Sequence, residues 1–148
     1  MYNASMKVFI SHARRDGEFA KKLGEELAQA GLEVWTDDQI YPGDNWAKIT
    51  GQALEESDAM IAVVTQNALE SGPLKEDIQF ALTSKNYGAR IIPVVVDMKT
   101  FEAGNEVPWI LLRLNPLYLD SANSDLHEVI ERVRSLAEPV RSLTSRAI

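Results

Sequence analysis

The stretch Val8-Phe9-Ile10-Ser11-His12-Ala13-Arg14-Arg15-Asp16 decides the fold of this chain. Its apolar first part has the length of a strand, and it ends at a hydroxyl, an imidazole and two cations before an amphipathic helix begins. A strand that passes through a short polar loop into a helix is typical of open α/β sheets, whose ligands bind at the carboxyl ends of the strands. The search for function therefore begins at this loop.

The rest of the chain repeats this alternation of strand and helix. Strands are predicted over residues 7–11, 32–35, 59–65, 90–96 and 117–119, and helices are predicted to begin near residues 16, 45, 73 and 125. Five strands separated by helices form a parallel sheet, and the common strand order at this size is 2-1-3-4-5. The predicted fold class is α/β: a flavodoxin-like three-layer fold with a five-stranded parallel sheet and helices on both faces.

Individual residues predict where these elements begin and end. Asp16 is a candidate cap of the first helix, Gly31 its stop, and Pro73 suits a first helical turn. Pro93 argues against a central position for its strand, because proline donates no backbone hydrogen bond. Residues 109–112 are predicted to form a short buried helix or turn. The helix from Pro73 is predicted to bury Leu74, Ile78, Ala81 and Leu82.

Length and composition favour one soluble domain. We expect a domain over residues 1–137 and a tail over residues 138–148 that is disordered or begins a linker. A net charge of −7 argues against nucleic acid as the main partner, because phosphate binding depends on clustered Lys and Arg. No apolar stretch approaches the ~18 residues of a membrane helix, so no membrane partner is expected. The absence of cysteine fits the reducing cytoplasm, which is the predicted location.

Several common functions of this fold are excluded by the residues at the predicted edge. The first strand–helix turn holds only Gly17, so the three-glycine dinucleotide fingerprint is absent, as is the phosphate-binding Gly-Lys-Ser/Thr loop. A phosphoacceptor receiver needs acidic residues where this chain has Ser11-His12 and Thr65-Gln66. The only histidines are His12 and His127, so we predict no metal site.

Five short motifs follow one another between residues 6 and 136. They are Val8-Phe9-Ile10-Ser11-His12, Leu32-Glu33-Val34-Trp35-x-Asp37, Pro42-Gly43-Asp44-x-Trp46, Leu54-x-x-Ser57-Asp58 and Arg90-Ile91-Ile92-Pro93-Val94. In this order and spacing they resemble the Toll/interleukin-1 receptor (TIR) domain family, particularly its bacterial members. The resemblance implies homotypic assembly with other TIR domains, as a homo-oligomer or filament. It also implies cleavage of NAD+ at the nicotinamide–ribose bond, with NAD+ as substrate and no prosthetic group.

The resemblance also implies a catalytic carboxylate. Family enzymes carry a Glu early in the helix after the third strand, in a pattern Ser-x-Trp-x-x-x-Glu that aligns without gaps with Ser71 to Asp77. Asp77 stands at the Glu position and Pro73 at the Trp position. Asp keeps the charge but withdraws it by one methylene. Glu76 is the adjacent candidate, although one residue along a helix turns a side chain by about 100°.

Other candidates surround the same edge. The residues predicted to bind substrate are Ser11, His12, Arg14, Arg15, Asp37 and Trp46, and the two arginines suit a diphosphate as bidentate donors. The loop that contains Tyr41, Pro42, Gly43 and Asp44 is a candidate for self-association. Each has a plainer interpretation: solvated arginines, a core tryptophan, or an acid that complements a helix dipole.

The sequence thus predicts a TIR signalling protein that acts by self-association and has NAD+ nucleosidase activity, as a hydrolase or a cyclase. Two alternatives stay open. One is a catalytically inactive TIR scaffold for protein–protein interaction. The other is an enzyme similar to the nucleoside deoxyribosyltransferases, which share this sheet and cleave a comparable N-glycosidic bond.

Overall fold

The computed structural model of the protein describes residues 6–36, 43–70, 73–83 and 90–136, and it describes only the backbone of residues 46, 47 and 73. The strands are β1 (Lys7–Ser11), β2 (Glu33–Trp35), β3 (Ala59–Val64), β4 (Ile91–Val96) and β5 (Leu117–Leu119). The helices are α1 (Gly17–Gln29), α2 (Trp46–Glu56), α3 (Gln66–Leu69), α4 (Pro73–Thr83), α5 (Trp109–Leu112) and α6 (His127–Leu136). Single 3-10 turns cover Arg14–Asp16 and Met98–Thr100.

The strands form one parallel sheet in the order β2-β1-β3-β4-β5, which confirms the predicted topology. β1 pairs with β2 on one side and with β3 on the other, so Val8 lies between Val34 and Ala59. β2 is added on one side of β1 and β3 on the other, so the order of strand addition reverses here and the loops that follow β1 and β3 diverge. A cleft between such loops is where ligands of doubly wound sheets bind.

Two apolar layers sandwich the sheet, because alternate residues of a strand point to opposite faces. Ile10 and Ile61 pack with Leu23 of α1 and Val129 of α6 on one face. On the other face, the buried residues from β1, β3 and β4 pack with α2, α4 and α5; they include Phe9, Met60, Val95, Leu54, Leu74 and Leu111. Coverage of both faces explains why β3 and β4 are apolar throughout.

The inference drawn from Pro93 was wrong. Its strand, β4, lies inside the sheet between β3 and β5, and Pro93 pairs with Ala62 of β3. Pairing with β5 begins only at Val94. Pro93 therefore precedes the β5 ladder, and its missing N–H costs no hydrogen bond on that side.

Other boundaries mix agreement and correction. Gly31 has φ +92° directly after the helix cap at Ala30, which confirms it as the stop of α1. Leu82, predicted to face inward, is 38% exposed. The short helix α3 was not predicted, and α4 is described as far as Thr83.

Residues 137–148 lie outside the described residues, so the boundary at 137 and the tail stay predictions. None of the helices in the described ranges combines the length and apolar character needed to span a bilayer.

Candidate active site at the carboxyl edge of the sheet

Asp77 lies on the buried face of α4. Leu74, Ile78 and Ala81 form the apolar stripe of this helix, and residue 77 follows Leu74 by three positions, which places it on the same face. Only 6% of Asp77 is exposed, whereas Glu76 is exposed. The rotation of about 100° per residue separates the two neighbouring acids and gives them different surroundings.

A buried hydrogen bond joins this acid to the end of β1. The Ser11 hydroxyl donates to Asp77 Oδ2 at 2.6 Å, and only 1% of Ser11 is exposed. The distance is typical of a charge-assisted bond between a hydroxyl and a carboxylate. Such a donor is needed because removing a carboxylate from water is costly unless hydrogen bonds replace its hydration. Two residues 66 positions apart are thereby brought together at the switch point of the sheet.

His12 is buried beside Ser11, with 6% of its surface exposed. Its Nδ1 lies 2.7 Å from the carbonyl oxygen of Ala13. A carbonyl oxygen can only accept, so this contact requires a proton on Nδ1. The hydrogen bond therefore orients the imidazole ring.

Arg14 and Arg15 are exposed in the loop that follows β1. Together with Ala13, Asn67 and Glu70 they line a cavity of about 370 Å³. Among the described residues on its walls the charged groups are two guanidinium groups and one carboxylate, so positive charge predominates there. We call this cavity the arginine cavity.

Asp16 holds the loop after β1 against the loop after β3. Its carboxylate accepts a hydrogen bond from the Thr65 hydroxyl at Oδ2 and one of 2.9 Å from Asn67 Nδ2 at Oδ1. Asp16 occupies the N-cap position of α1, as predicted, but its side chain does not cap the helix. The capping role was therefore wrong: the carboxylate bonds across to the neighbouring loop instead.

Gln66 makes a second connection along this edge. Its amide nitrogen donates to Glu70 Oε2 at 2.6 Å and to Glu102 Oε1 at 3.2 Å, and its amide oxygen accepts from the Glu102 backbone N–H at 2.8 Å. Gln66 opens α3, whose cap is Thr65. The missed signal for α3 was this threonine, because Thr is a preferred N-cap residue.

Several predicted residues are only partly covered by the structure. Outside the described residues lie Asp37, Tyr41, Pro42 and the side chain of Trp46. Gly43 and Asp44 are exposed just before α2, and Gly43 has φ +94°. The described part of the predicted interaction loop is thus accessible, and its glycine adopts a backbone conformation that side chains disfavour.

A groove at the carboxyl end of β4 was missed at the sequence level. It has a volume of about 730 Å³. We call it the Trp109 groove; its lining residues are Met98, Phe101, Gly104, Asn105, Glu106, Val107, Pro108, Trp109 and Leu112. The helix over residues 109–112 was predicted to be buried, yet Trp109 is 69% exposed and only Leu111 is in the core.

The fold and the site define a class of protein: a doubly wound parallel α/β domain that presents a buried hydroxyl–carboxylate pair and two arginines at its carboxyl edge. The profile of the TIR domain family matches residues 8–131. The chain therefore belongs to the TIR domain family, as its motifs predicted.

Known relatives share this domain at low sequence identity. The probable 2′ cyclic ADP-D-ribose synthase TcpO of Methanobrevibacter olleyae is 23% identical over 133 residues, which cover 85% of this chain and 38% of that relative. The chain thus spans well under half the length of this relative.

Solved structures with the same fold include the TIR domain of the Toll-related receptor TRR-2 from Hydra magnipapillata, at 23% identity and a TM-score of 0.65 over 88% of this chain and 97% of that one. The CMP N-glycosidase BcmB of Clostridium botulinum is similar at 22% identity and a TM-score of 0.59, over 83% of this chain and 96% of that one. At these identities the likeness shows the shared fold.

Proposed function

We propose that this TIR domain cleaves the nicotinamide–ribose bond of NAD+, with Asp77 as the carboxylate beside the ribose. The observation that carries the proposal is the buried 2.6 Å hydrogen bond between Ser11 and Asp77. It holds an acid at the sheet edge where ligands of such folds bind. The relative TcpO, named a probable cyclic ADP-ribose synthase, supports NAD+ as the substrate.

The chemistry needs negative charge close to the ribose. When nicotinamide leaves, the electron pair of the C–N bond moves to the ring nitrogen and positive charge develops on the ribose. A carboxylate stabilises this oxocarbenium-like transition state and orients the ribose hydroxyls. Water then adds to the anomeric carbon and loses a proton, which gives ADP-ribose; attack by a hydroxyl of the same molecule gives a cyclic product.

The arginine cavity supplies the complementary role. Arg14 and Arg15 can each form paired N–H···O bonds to phosphate oxygens, which suits the diphosphate of NAD+. The Asn67 side chain adds a further donor and, through its bond to Asp16, is held in place. Both arginines follow Ser11 within four residues, so the diphosphate and the ribose would lie side by side along one loop.

The length of the Asp77 side chain sets the expected rate. A Glu at this position would carry its carboxylate about 1.5 Å further, and a misplacement of ~1 Å can cost about 100-fold in rate. We therefore expect slow turnover by the natural protein and a rise of up to about 100-fold in Asp77→Glu. Nicotinamide release from NAD+ at high protein concentration measures both.

Two further variants identify the acid. Asp77→Ala should lower turnover by about 100-fold or more, as expected for loss of a transition-state electrostatic contact. Glu76→Ala, which removes the exposed neighbouring acid, is the matched control and should change turnover less than about twofold. The reverse ranking would show that the catalytic carboxylate is assigned to the wrong residue.

The same assay separates the alternative functions. Release of cytosine from CMP in place of nicotinamide from NAD+ would indicate the nucleoside-cleaving alternative, which the fold of BcmB makes worth testing. No product from either substrate, with the natural protein and with Asp77→Glu, would contradict the enzymatic proposal. An assembly scaffold would then remain.

We further propose that the loop over residues 37–44 mediates self-association with other TIR domains. Gly43 is exposed with φ +94°, and an added Cβ would meet no atom of the described residues within 4 Å. Gly31 has φ +92° and equally open surroundings, but it lies at the opposite end of the sheet. Gly43→Ala should therefore weaken association in sedimentation velocity, whereas Gly31→Ala, with the same backbone strain, should not. Equal sedimentation of both variants and the natural protein would remove the loop from the interface.

A further inference from the structure

The Trp109 groove gathers large apolar side chains that are not in the core. Trp109, Met98 and Leu112 are 69%, 50% and 49% exposed, and all three line this one concavity. A single exposed apolar residue is ordinary on a protein surface. Three around a cavity of about 730 Å³ are not, and this volume is within the range of small-molecule sites.

The polar groups of the groove define what it can take. Among the described residues that line it, Glu106 carries the only charge and Asn105 the only side-chain amide. A carboxylate accepts N–H donors and repels anions, while an amide both donates and accepts. The indole face of Trp109 offers a stacking surface for any planar ring. The walls thus disfavour anions and suit a flat heteroaromatic ring with exocyclic N–H groups, such as adenine.

The arginine cavity, which carries positive charge, lies on the other side of Gln66 from the groove. Gln66 bonds to Glu70, which lines the arginine cavity, and to Glu102, which adjoins Phe101 in the wall of the groove. The two cavities are therefore neighbours along the carboxyl edge, one apolar with an acceptor and one cationic. That arrangement matches the two ends of a nucleotide, its base and its phosphate.

We infer that the Trp109 groove binds a purine base of a nucleotide, stacked on Trp109 and hydrogen-bonded to Glu106 and Asn105. Neither Ser11 nor Asp77 is among the described residues that line the groove, so this site is separate from the carboxylate assigned to ribose chemistry. The inference holds whether or not the domain cleaves NAD+. The base can come from a free adenine nucleotide or from the adenine end of NAD+.

Isothermal titration of the full chain with adenosine, AMP and ribose 5-phosphate tests the inference. Adenosine should bind, AMP should bind more tightly, and ribose 5-phosphate should bind least. Trp109→Ala should weaken adenosine binding about tenfold or more, as expected for loss of one stacking surface, and Glu106→Gln should weaken it severalfold. Tyr118→Ala is the matched control, because this aromatic side chain is 53% exposed on β5 and is not among the described lining residues; it should have no effect.

The other outcomes are equally definite. No adenosine binding at millimolar concentration, or unchanged binding in Trp109→Ala with a folded circular dichroism spectrum, overturns the inference. So does loss of adenosine binding in Asp77→Asn, which would place the base at the carboxylate. A change in sedimentation of Trp109→Ala without a change in adenosine binding would make the groove a protein interface instead. NAD+ titration of Trp109→Ala then distinguishes the two sources, since its affinity falls only if its own adenine occupies the groove.

Discussion

Replacing Asp16 with Ala should lower the free energy of unfolding more than replacing any neighbouring acid with Ala. The Asp16 carboxylate accepts hydrogen bonds from Thr65 and Asn67, which are 49 and 51 positions away in the chain. Both bonds are lost in Asp16→Ala. The loops after β1 and β3 are then no longer joined by this side chain.

The expected loss follows from the number and kind of these bonds. A hydrogen bond to a charged group contributes about 1.5–3 kcal/mol when buried. Both bonds are only partly buried, so solvent competes for them, and we expect about 2 kcal/mol in total. General electrostatics acts with the opposite sign, because removal of one acid from a chain of net charge −7 relieves repulsion. A measured destabilisation therefore reports the hydrogen bonds.

Urea denaturation gives the free energy of unfolding for four proteins: natural, Asp16→Ala, Asn67→Ala and the double variant. The cycle should return a coupling energy of at least about 0.5 kcal/mol between these two side chains. Glu18→Ala is the matched control, because it removes an exposed carboxylate from the first turn of the same helix. It should change stability by no more than about 0.5 kcal/mol.

Equal losses in Asp16→Ala and Glu18→Ala would refute this reasoning, because the effect would then come from the helix dipole that both acids share. A coupling energy near zero would show that Asp16 and Asn67 act independently. Either result would also contradict the claim that Asp16 holds Asn67 in place at the arginine cavity.

Two other changes test the packing. Leu23→Ala removes a fully buried side chain of α1 and should cost about 2–5 kcal/mol in urea denaturation, whereas Lys21→Ala on the exposed side of that helix should cost less than about 0.5 kcal/mol. Thr50→Val should stabilise the domain by about 1 kcal/mol, because among the described residues the buried Thr50 hydroxyl has no hydrogen-bond partner. A loss of stability in Thr50→Val would show that this hydroxyl does have a hydrogen-bond partner, either a bound water or a residue outside the described ranges.

The sheet could be predicted because its signals are strong and local. β3 and β4 are apolar at every position, and such runs occur where helices cover both faces of a strand. Gly31 could also be predicted to end α1, since glycine adopts φ +92° at little cost. The inference from Pro93 failed because it considered only the strand that contains the proline. The number of hydrogen bonds lost depends instead on which neighbouring strand the missing N–H would have faced.

The site was harder because its important contacts join distant residues. Residue 77 was assigned by resemblance, and helical geometry does not distinguish it from residue 82, because both lie about 70° from the centre of the stripe formed by residues 74, 78 and 81, on opposite sides. Asp77 is nonetheless buried and Leu82 is 38% exposed, so what packs against each side of α4 decides which of the two is covered. Chemical type alone had suggested the opposite for Leu82.

The bond partners of Asp16 and Gln66 and the exposure of Trp109 could not be predicted in this way. Asp16 has every local feature of a helix cap, and only the position of the neighbouring loop diverts its carboxylate to Thr65. Trp109 belongs to a four-residue helix that buries Leu111, so its apolar character alone did not indicate its exposure. The local sequence around Asp16 or Trp109 does not show which other parts of the chain will pack beside it.

Side chains tie the carboxyl edge together at three successive places. Ser11 joins β1 to α4, Asp16 joins the loop after β1 to the loop after β3, and Gln66 joins the latter to the segment after β4. Loops usually have the lowest local stability in a domain, whereas binding and catalysis require groups held to within a fraction of an ångström. These hydrogen bonds between loops hold such groups in place, because each one removes conformational freedom that a bound ligand would otherwise have to restrict.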